Sequence, residues 1–178
     1  SWDFAMLGVG LRYINGVGKP DMLHYVESFG MEGHYDFASN RGYIWSRTFP
    51  LLKRALLLGV GQDNFAYAFP NDDYVGKENC GFNEQIVTKP HNMYLQIWVQ
   101  DGLPALLAFL ALYLLLFGRT IRKCFKKGKW NHSQKISLAF LCGVSGYFVA
   151  GLANDSSICV APVFWVLFGV AFAVLRSE

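Results

Sequence analysis

The chain has 178 residues, of which 53% are apolar and 16% are charged, and its formal net charge is +3. Soluble domains carry about 25% charged residues on average, so this composition favours a membrane protein. The four cysteines show no CxxC spacing, which argues against a zinc site and a disulfide framework. Because the chain begins at Ser1 without a signal peptide, we expect it to be part of a longer protein.

The N-terminal stretch carries little periodic pattern. Residues 1–14 are moderately apolar and predict the tail of a preceding membrane span. Residues 16–37 are rich in Gly, Tyr and His without a clear period, which predicts a loop with short turns. Three GxG triplets, at residues 8–10, 16–18 and 59–61, lack the full dinucleotide-binding pattern, so turn glycines explain them more simply.

Two helices are predicted in the next part of the chain. Ser39 is placed to cap a helix through residues 40–49, and Pro50 ends or restarts that helix. Residues 62–88 predict a polar loop. Asn92 can cap a second helix that ends near Asp101.

Three apolar runs follow, at about residues 103–118, 136–153 and 158–175. Each is at the short end of the length that crosses a bilayer core, and tilt or flanking residues would complete the crossing. Buried core helices are the competing interpretation. Three such runs in succession favour spans, so the sequence predicts an all-α, polytopic helical membrane protein with a large loop that contains short helices.

The loop between the first two runs has seven basic residues and no acidic one: Arg119, Arg122, Lys123, Lys126, Lys127, Lys129 and Lys135. By the positive-inside rule this loop is cytoplasmic. A nucleic-acid patch is the rival explanation, which two flanking spans disfavour. Residues 1–101, with eight Lys and Arg against eleven Asp and Glu, are then predicted to lie outside the cytoplasmic membrane.

Arg41 and His91 are the side chains best suited to chemistry. Arg41 shares a helix face with Trp45, and the planar guanidinium group can bind phosphate through two parallel hydrogen bonds. A neutral His91 can accept a proton from a hydroxyl. Together they suit transfer from a phosphate leaving group to an alcohol. The plainer alternatives are a solvated Arg41 and an interfacial helix that merely begins near His91.

Other candidate side chains have plainer explanations. Arg47, Lys53 and Arg54 are explained by an interfacial basic face. Asp72 and Asp73 could bind a divalent cation, but a solvated loop explains the pair more simply. His24, His34 and Asp36 do not have a recognised metal-ligand spacing, so no metal is predicted.

The motifs also have a characteristic order. Ser39-Asn40-Arg41-Gly42-Tyr43-Ile44-Trp45 is followed by Leu58-Gly59-Val60-Gly61 with Phe65, then by His91-Asn92-Met93-Tyr94-Leu95, and then by Gly102, which opens an apolar run. This order resembles the C-terminal portion of the O-antigen ligase and polymerase family of bacterial envelope proteins. In that family an Arg-x-x-x-Trp helix, a Gly-x-Gly turn and a His-Asn-x-Tyr/Phe-Leu helix lie in or near a large periplasmic loop, before two or three closing spans.

The resemblance implies a function and a location. Family members transfer a glycan from an undecaprenyl-diphosphate carrier to an acceptor hydroxyl, without a cofactor, in the bacterial inner membrane. His91 would activate the acceptor and Arg41 would engage the diphosphate, with substrate contacts from Arg47, Lys89, Asn92 and Tyr94. The expected partners are the polyprenyl-linked donor, a glycan or lipid acceptor and the bilayer.

The family also has an arginine in a span upstream of the large loop, a role that Arg12 is too near the loop to fill. We therefore expect this chain alone to be inactive. A non-enzymatic glycolipid flippase or polysaccharide exporter subunit is the alternative function. The near absence of charge in the three apolar runs weighs against transport.

Overall fold

The computed structural model describes residues 10–11, 25–26, 28–31, 34–81, 85–125 and 130–176. Its elements are β1 (Gly10–Leu11), β2 (Tyr25–Val26), α1 (Phe37–Arg54), α2 (Phe65–Ala68), α3 (Tyr74–Asn79), α4 (Met93–Asp101), α5 (Leu103–Cys124), α6 (His132–Ala150) and α7 (Ala161–Arg176). The two strands form one short antiparallel pair, and the rest of the regular structure is helical. The chain divides into two compact units, Ser1–His91 with Leu95–Pro104 and Asn92–Tyr94 with Ala105–Glu178.

The first unit is built around one face of α1. Tyr43, Ile44 and Leu51 lie on that face at helical spacing, and they pack against the buried side chains of Phe65, Phe69, Val87 and Val99. Burying an aliphatic or aromatic side chain of this size contributes about 1.5–3 kcal/mol. This cluster therefore fixes α1, with Arg41 on it, inside the unit.

Both ends of the predicted first helix differ from expectation. Ser39 does not cap it, because the backbone of Ala38, Ser39 and Asn40 has φ between 51° and 65°, whereas an N-cap residue has extended backbone. Pro50 does not end it either. A proline removes the amide that would bond the Ser46 carbonyl, but the Phe29 amide donates to that carbonyl at 2.9 Å instead. The helix therefore continues to Arg54.

The predicted polar loop of residues 62–88 holds two short helices, α2 and α3. Asp73 starts α3 by accepting a hydrogen bond from the amide of Gly76 at 2.9 Å. Asp73 is also fully buried, so the expectation of a solvated acidic pair is wrong for this residue. An N-capping aspartate followed by six helical residues is a local signal that the sequence contains.

The second unit contains α5, α6 and α7. Aromatic rings fill its centre: Phe148 stacks on Phe109 and on Tyr113 at centroid distances of 4.8 and 3.9 Å, and Tyr147 stacks on Phe164 at 4.2 Å. Helix α6 begins with a complete capping box. In it, the Asn131 side chain accepts from the Gln134 amide and the Gln134 side chain accepts from the Asn131 amide.

Helix α5 is, among the described residues, the one helix that is long and apolar enough to cross a membrane. Ten of its 22 residues are exposed, including Leu107, Leu114 and Leu115, and four are buried, which does not fit the core helix of a soluble protein. Helix α7 is apolar but has 16 residues, and α6 devotes its first turn to polar side chains. Three spans and the orientation of the loops remain predictions, and the predicted span tail at 1–14 lies outside the described residues apart from β1.

Candidate functional site

Arg41 lies at the beginning of the regular part of α1. The turn before it is held from two sides: the Asn40 side chain donates to the Cys80 carbonyl at 2.7 Å, and the Tyr43 amide donates to the Tyr35 carbonyl at 3.1 Å. A Cβ on Gly42 would collide with the His34 carbonyl, so this position requires glycine. Arg41 itself is half-buried and has no side-chain hydrogen bond or ion pair with any described residue. No residue in the described part of the chain therefore occupies its guanidinium donors.

The next turn of α1 is bonded to the segment before α4. The indole nitrogen of Trp45 donates to the Pro90 carbonyl at 2.8 Å, and Pro90 is fully buried. Residues four apart on a helix are neighbours on one face, with Cβ atoms about 5–6 Å apart. The face of α1 that carries Arg41 is therefore held against the segment that contains Lys89 and His91.

His91 is exposed and has a φ of 52°, in the left-handed region that most residues avoid. Such a conformation costs on the order of 1–3 kcal/mol and is retained where the surrounding structure enforces it. On one side of His91 the buried Pro90 is bonded to Trp45, and on the other side Asn92 starts α4. Lys89, two residues earlier, is half-buried and has no ion pair within the described part of the chain.

Asn92 caps α4, as the sequence predicts. Its side-chain oxygen accepts from the Tyr94 amide at 3.0 Å, and its side-chain nitrogen donates to the Leu152 carbonyl at 2.9 Å. The Tyr94 hydroxyl donates to the Phe148 carbonyl at 2.7 Å, near the end of α6, where carbonyls lack helical partners. Both side chains are bonded to the protein, so their presence is explained without a substrate.

The Gly59-Val60-Gly61 turn binds the other end of α4. The amides of Val60 and Gly61 donate to the carbonyls of Val99 and Gln100 at 2.8 and 2.9 Å. These carbonyls lie in the last turn of α4 and would otherwise lack partners. A Cβ on Gly59 would overlap the backbone of Gln100. The Gly-x-Gly motif is therefore a cap for the end of α4, and its first glycine permits the close approach.

Arg47 is a buried structural residue, not part of an exposed basic face. Its guanidinium pairs with Asp73 at 3.0 Å and lies over the ring of Tyr43, 4.9 Å from the centroid. Burial opposes its charge, but Asp73 and the Tyr35 hydroxyl outweigh burial and raise the pKa of Arg47. Substrate binding by Arg47 would require this pair to break, so we do not include it in the candidate site.

The Asp73 carboxylate also accepts from the Tyr43 hydroxyl at 3.2 Å. Burial, and then the neighbouring Asp73, raise the pKa of Tyr43 well above its ordinary value. Periodicity gave no sign of this cluster, because its members are far apart in the sequence. The contacts among Tyr43, Arg47 and Asp73 fix the rotation of α1 about its own axis. Since residues advance about 100° each along a helix, anchoring Arg47 toward α3 turns Trp45 to the opposite side.

Among the described residues, no group of three or more His, Cys, Asp or Glu side chains is placed to hold a metal ion. His24, for which the sequence predicts no metal-binding role, lies outside the described residues. The chemistry that the candidate site offers is that of a guanidinium, an ammonium and an imidazole. These groups suit an anionic leaving group and a hydroxyl acceptor.

Comparison with known proteins gives one informative result. The family model for O-antigen ligase matches residues 4–110, which is more than half of the chain. No curated protein and no solved structure matches. The matched segment contains all three motifs, from Arg41 through the glycine turn to His91. The chain therefore belongs to the O-antigen ligase family, whose members are membrane proteins with glycan transfer of the ligase or polymerase type.

Proposed function

We propose that the protein transfers a glycan from a polyprenyl-diphosphate carrier to an acceptor hydroxyl at the outer side of the bacterial inner membrane. The observation that carries this proposal is the hydrogen bond from Trp45 to the Pro90 carbonyl, at 2.8 Å. This bond joins the turn of α1 after Arg41, whose guanidinium has no hydrogen bond to a described residue, to the residue before the exposed His91. Family membership supports transfer over the alternative of a flippase or exporter subunit.

The roles follow from the chemistry of each group. A ring nitrogen of His91 accepts the proton of the acceptor hydroxyl as its oxygen attacks the anomeric carbon of the donor glycan. The bond from that carbon to the diphosphate oxygen breaks, and Arg41 stabilises the charge that develops on the leaving diphosphate. Lys89, two residues before His91, adds a second positive charge to this site. Polymerase and ligase differ only in which acceptor brings the hydroxyl.

The test uses the whole protein that contains this chain, with glycan transfer measured at matched expression. His91→Ala and His91→Gln are both expected to slow transfer by about 10²–10⁴-fold, because neither side chain can accept the proton. Arg41→Lys is expected to lose most activity, because an ammonium keeps the charge but not the two parallel donors. Binding of the lipid-linked donor should survive in both His91 variants.

Asn92→Ala separates catalysis from helix initiation. This variant loses the α4 cap, which is worth about 1 kcal/mol, so its defect should appear as lower stability with residual transfer. If His91→Gln transferred glycan normally while Asn92→Ala was inactive, His91 would only start the helix. Near wild-type transfer by Arg41→Lys would likewise make Arg41 a structural residue.

A stability comparison tests the backbone conformation at His91 separately. Relieving a left-handed residue gains about 1–2 kcal/mol, and the extra freedom of unfolded glycine takes back about 0.5–1 kcal/mol. His91→Gly should therefore be more stable than His91→Ala, and both should be inactive. Equal stability of the two variants would contradict the left-handed backbone.

A further inference from the structure

We propose that the segment after α1 docks on the bilayer surface, with Leu57 and Leu58 in the lipid and with Lys53 and Arg54 on anionic headgroup phosphates. This interaction surface is separate from the site of glycan transfer. It concerns how the first unit is held at the membrane. We name Leu56, Leu57 and Leu58 the leucine loop.

Exposure is the first observation. Leu57 and Leu58 are 77% and 82% exposed, and Leu56 is 50% exposed. By contrast, Leu51 and Ala55, which precede the loop in the chain, are buried in the core of the unit. Three consecutive exposed leucines are unusual on a surface that faces only water, and contiguous apolar patches mark membrane or protein contacts.

The backbone holds the leucine loop in place from both ends. Before it, the Ala55 amide donates to the Leu51 carbonyl at 3.1 Å and ends α1. After it, Gly59 packs directly on the backbone of Gln100, and Val60 bonds the last turn of α4. The exposed leucines are thus presented by fixed backbone on either side.

The location of the loop identifies the occupant. The Leu57 carbonyl lies against Gly102, so closely that a Cβ there would be 2.6 Å from the Leu57 oxygen. Gly102 is followed at once by Leu103, where α5 begins, and α5 is the helix with the length and composition of a membrane span. Because residues next to the start of a span lie at the bilayer interface, the leucine loop lies at that depth.

The positive charges next to the leucine loop fit an anionic lipid surface. Lys53 and Arg54 are exposed in the last turn of α1, directly before the loop. Long basic side chains can place their apolar stems along the lipid and their charges at the phosphates. Apolar side chains with adjacent cations are the pattern of segments that lie in the interface of an anionic bilayer.

The test measures the depth of spin labels in the full chain, reconstituted into vesicles that contain phosphatidylglycerol. The four native cysteines are replaced by serine, and Leu57→Cys, Leu58→Cys or Tyr67→Cys carries a nitroxide. Tyr67 is the matched control, because it is 89% exposed in the same unit and lies outside the leucine loop. Labels at 57 and 58 should be accessible to oxygen and protected from a water-soluble nickel reagent, and the label at 67 should show the reverse.

Three results would overturn the proposal. Nickel access at 57 equal to that at 67 would place the leucine loop in water. Spin–spin broadening at 57 that disappears on dilution with unlabelled protein would identify a second copy of the chain as the occupant. Finally, Lys53→Gln with Arg54→Gln should reduce the depth at 57 in phosphatidylglycerol vesicles and not in phosphatidylcholine vesicles, and an unchanged depth in both would remove the headgroup contact.

Discussion

Replacing Trp45 by phenylalanine tests the bond on which the proposed site depends. The substitution keeps an aromatic ring but removes the indole N–H that donates to the Pro90 carbonyl at 2.8 Å. That carbonyl has no other partner among the described residues, and Pro90 is fully buried. Leaving a buried acceptor unpaired costs about 1–3 kcal/mol.

Trp98→Phe is the matched control. The Trp98 indole nitrogen is buried in the same unit and makes no hydrogen bond with described residues. Both substitutions remove the same atoms and similar volume, so their difference isolates the bond made by Trp45. Removing an unpaired buried donor should cost little beyond the lost packing.

The assay is thermal unfolding in detergent, followed by circular dichroism. For a chain of 150–250 residues, 1 kcal/mol shifts the midpoint by about 2–4 °C, so Trp45→Phe should unfold about 2–12 °C below Trp98→Phe. In the whole protein, Trp45→Phe should also slow glycan transfer, since a misplacement of about 1 Å can cost 10²-fold. Equal midpoints and equal transfer rates for the two variants would refute the argument.

Three further predictions follow from the first unit and from the basic loop. Burial and then Asp73 raise the pKa of Tyr43, so above about pH 10 Tyr43 keeps its proton in the folded protein while an unfolded tyrosine loses it. Through this residue, the free energy of unfolding should fall by about 1.4 kcal/mol per pH unit. Tyr43→Phe should make the slope shallower by about this amount in unfolding measured from pH 9 to 11.5, and an unchanged slope would exclude a contribution from Tyr43. Gly59→Ala should lower the free energy of unfolding, measured with denaturant, by about 2–5 kcal/mol, because the added Cβ would overlap Gln100 and two hydrogen bonds of the turn would be lost. A loss below about 1 kcal/mol would show that the turn can move to accommodate the Cβ. Lys127→Cys should react with an impermeant maleimide only after cells are permeabilised, and labelling of intact cells would reverse the predicted topology.

Local signals in the sequence predicted local structure well. Asn92 caps α4 because an N-cap needs only the amides of the next two or three residues, all of which are adjacent in sequence. The first apolar run begins where α5 begins, at Leu103, because a continuous run of apolar residues favours a long apolar helix without help from distant residues. The shared face of Arg41 and Trp45 likewise follows from the helical period.

Partners that are distant in sequence could not be predicted in the same way. Arg47 and Asp73 are 26 residues apart, and Trp45 and Pro90 are 45 apart, so no periodic pattern relates them. Pro50 was predicted to interrupt its helix because its local effect is unfavourable, and the amide of Phe29 provides the remedy from outside the helix. Each of these differences arises where a tertiary hydrogen bond outweighs a local preference.

The backbone gives an independent reason to connect Arg41 with His91. Among the described residues, six that are not glycine have positive φ, and four of these are Ala38, Ser39, Asn40 and His91. Three immediately precede Arg41, and the fourth is the proposed base itself. Such conformations persist only where neighbouring contacts enforce them, and they concentrate at sites where function requires a fixed geometry. In this unit the enforcing contacts are the hydrogen bond from the Asn40 side chain to the Cys80 carbonyl and the one from the Trp45 indole to the Pro90 carbonyl. Strained backbone that is held by tertiary hydrogen bonds therefore lies directly before Arg41 and at His91, the two residues that we propose carry the chemistry.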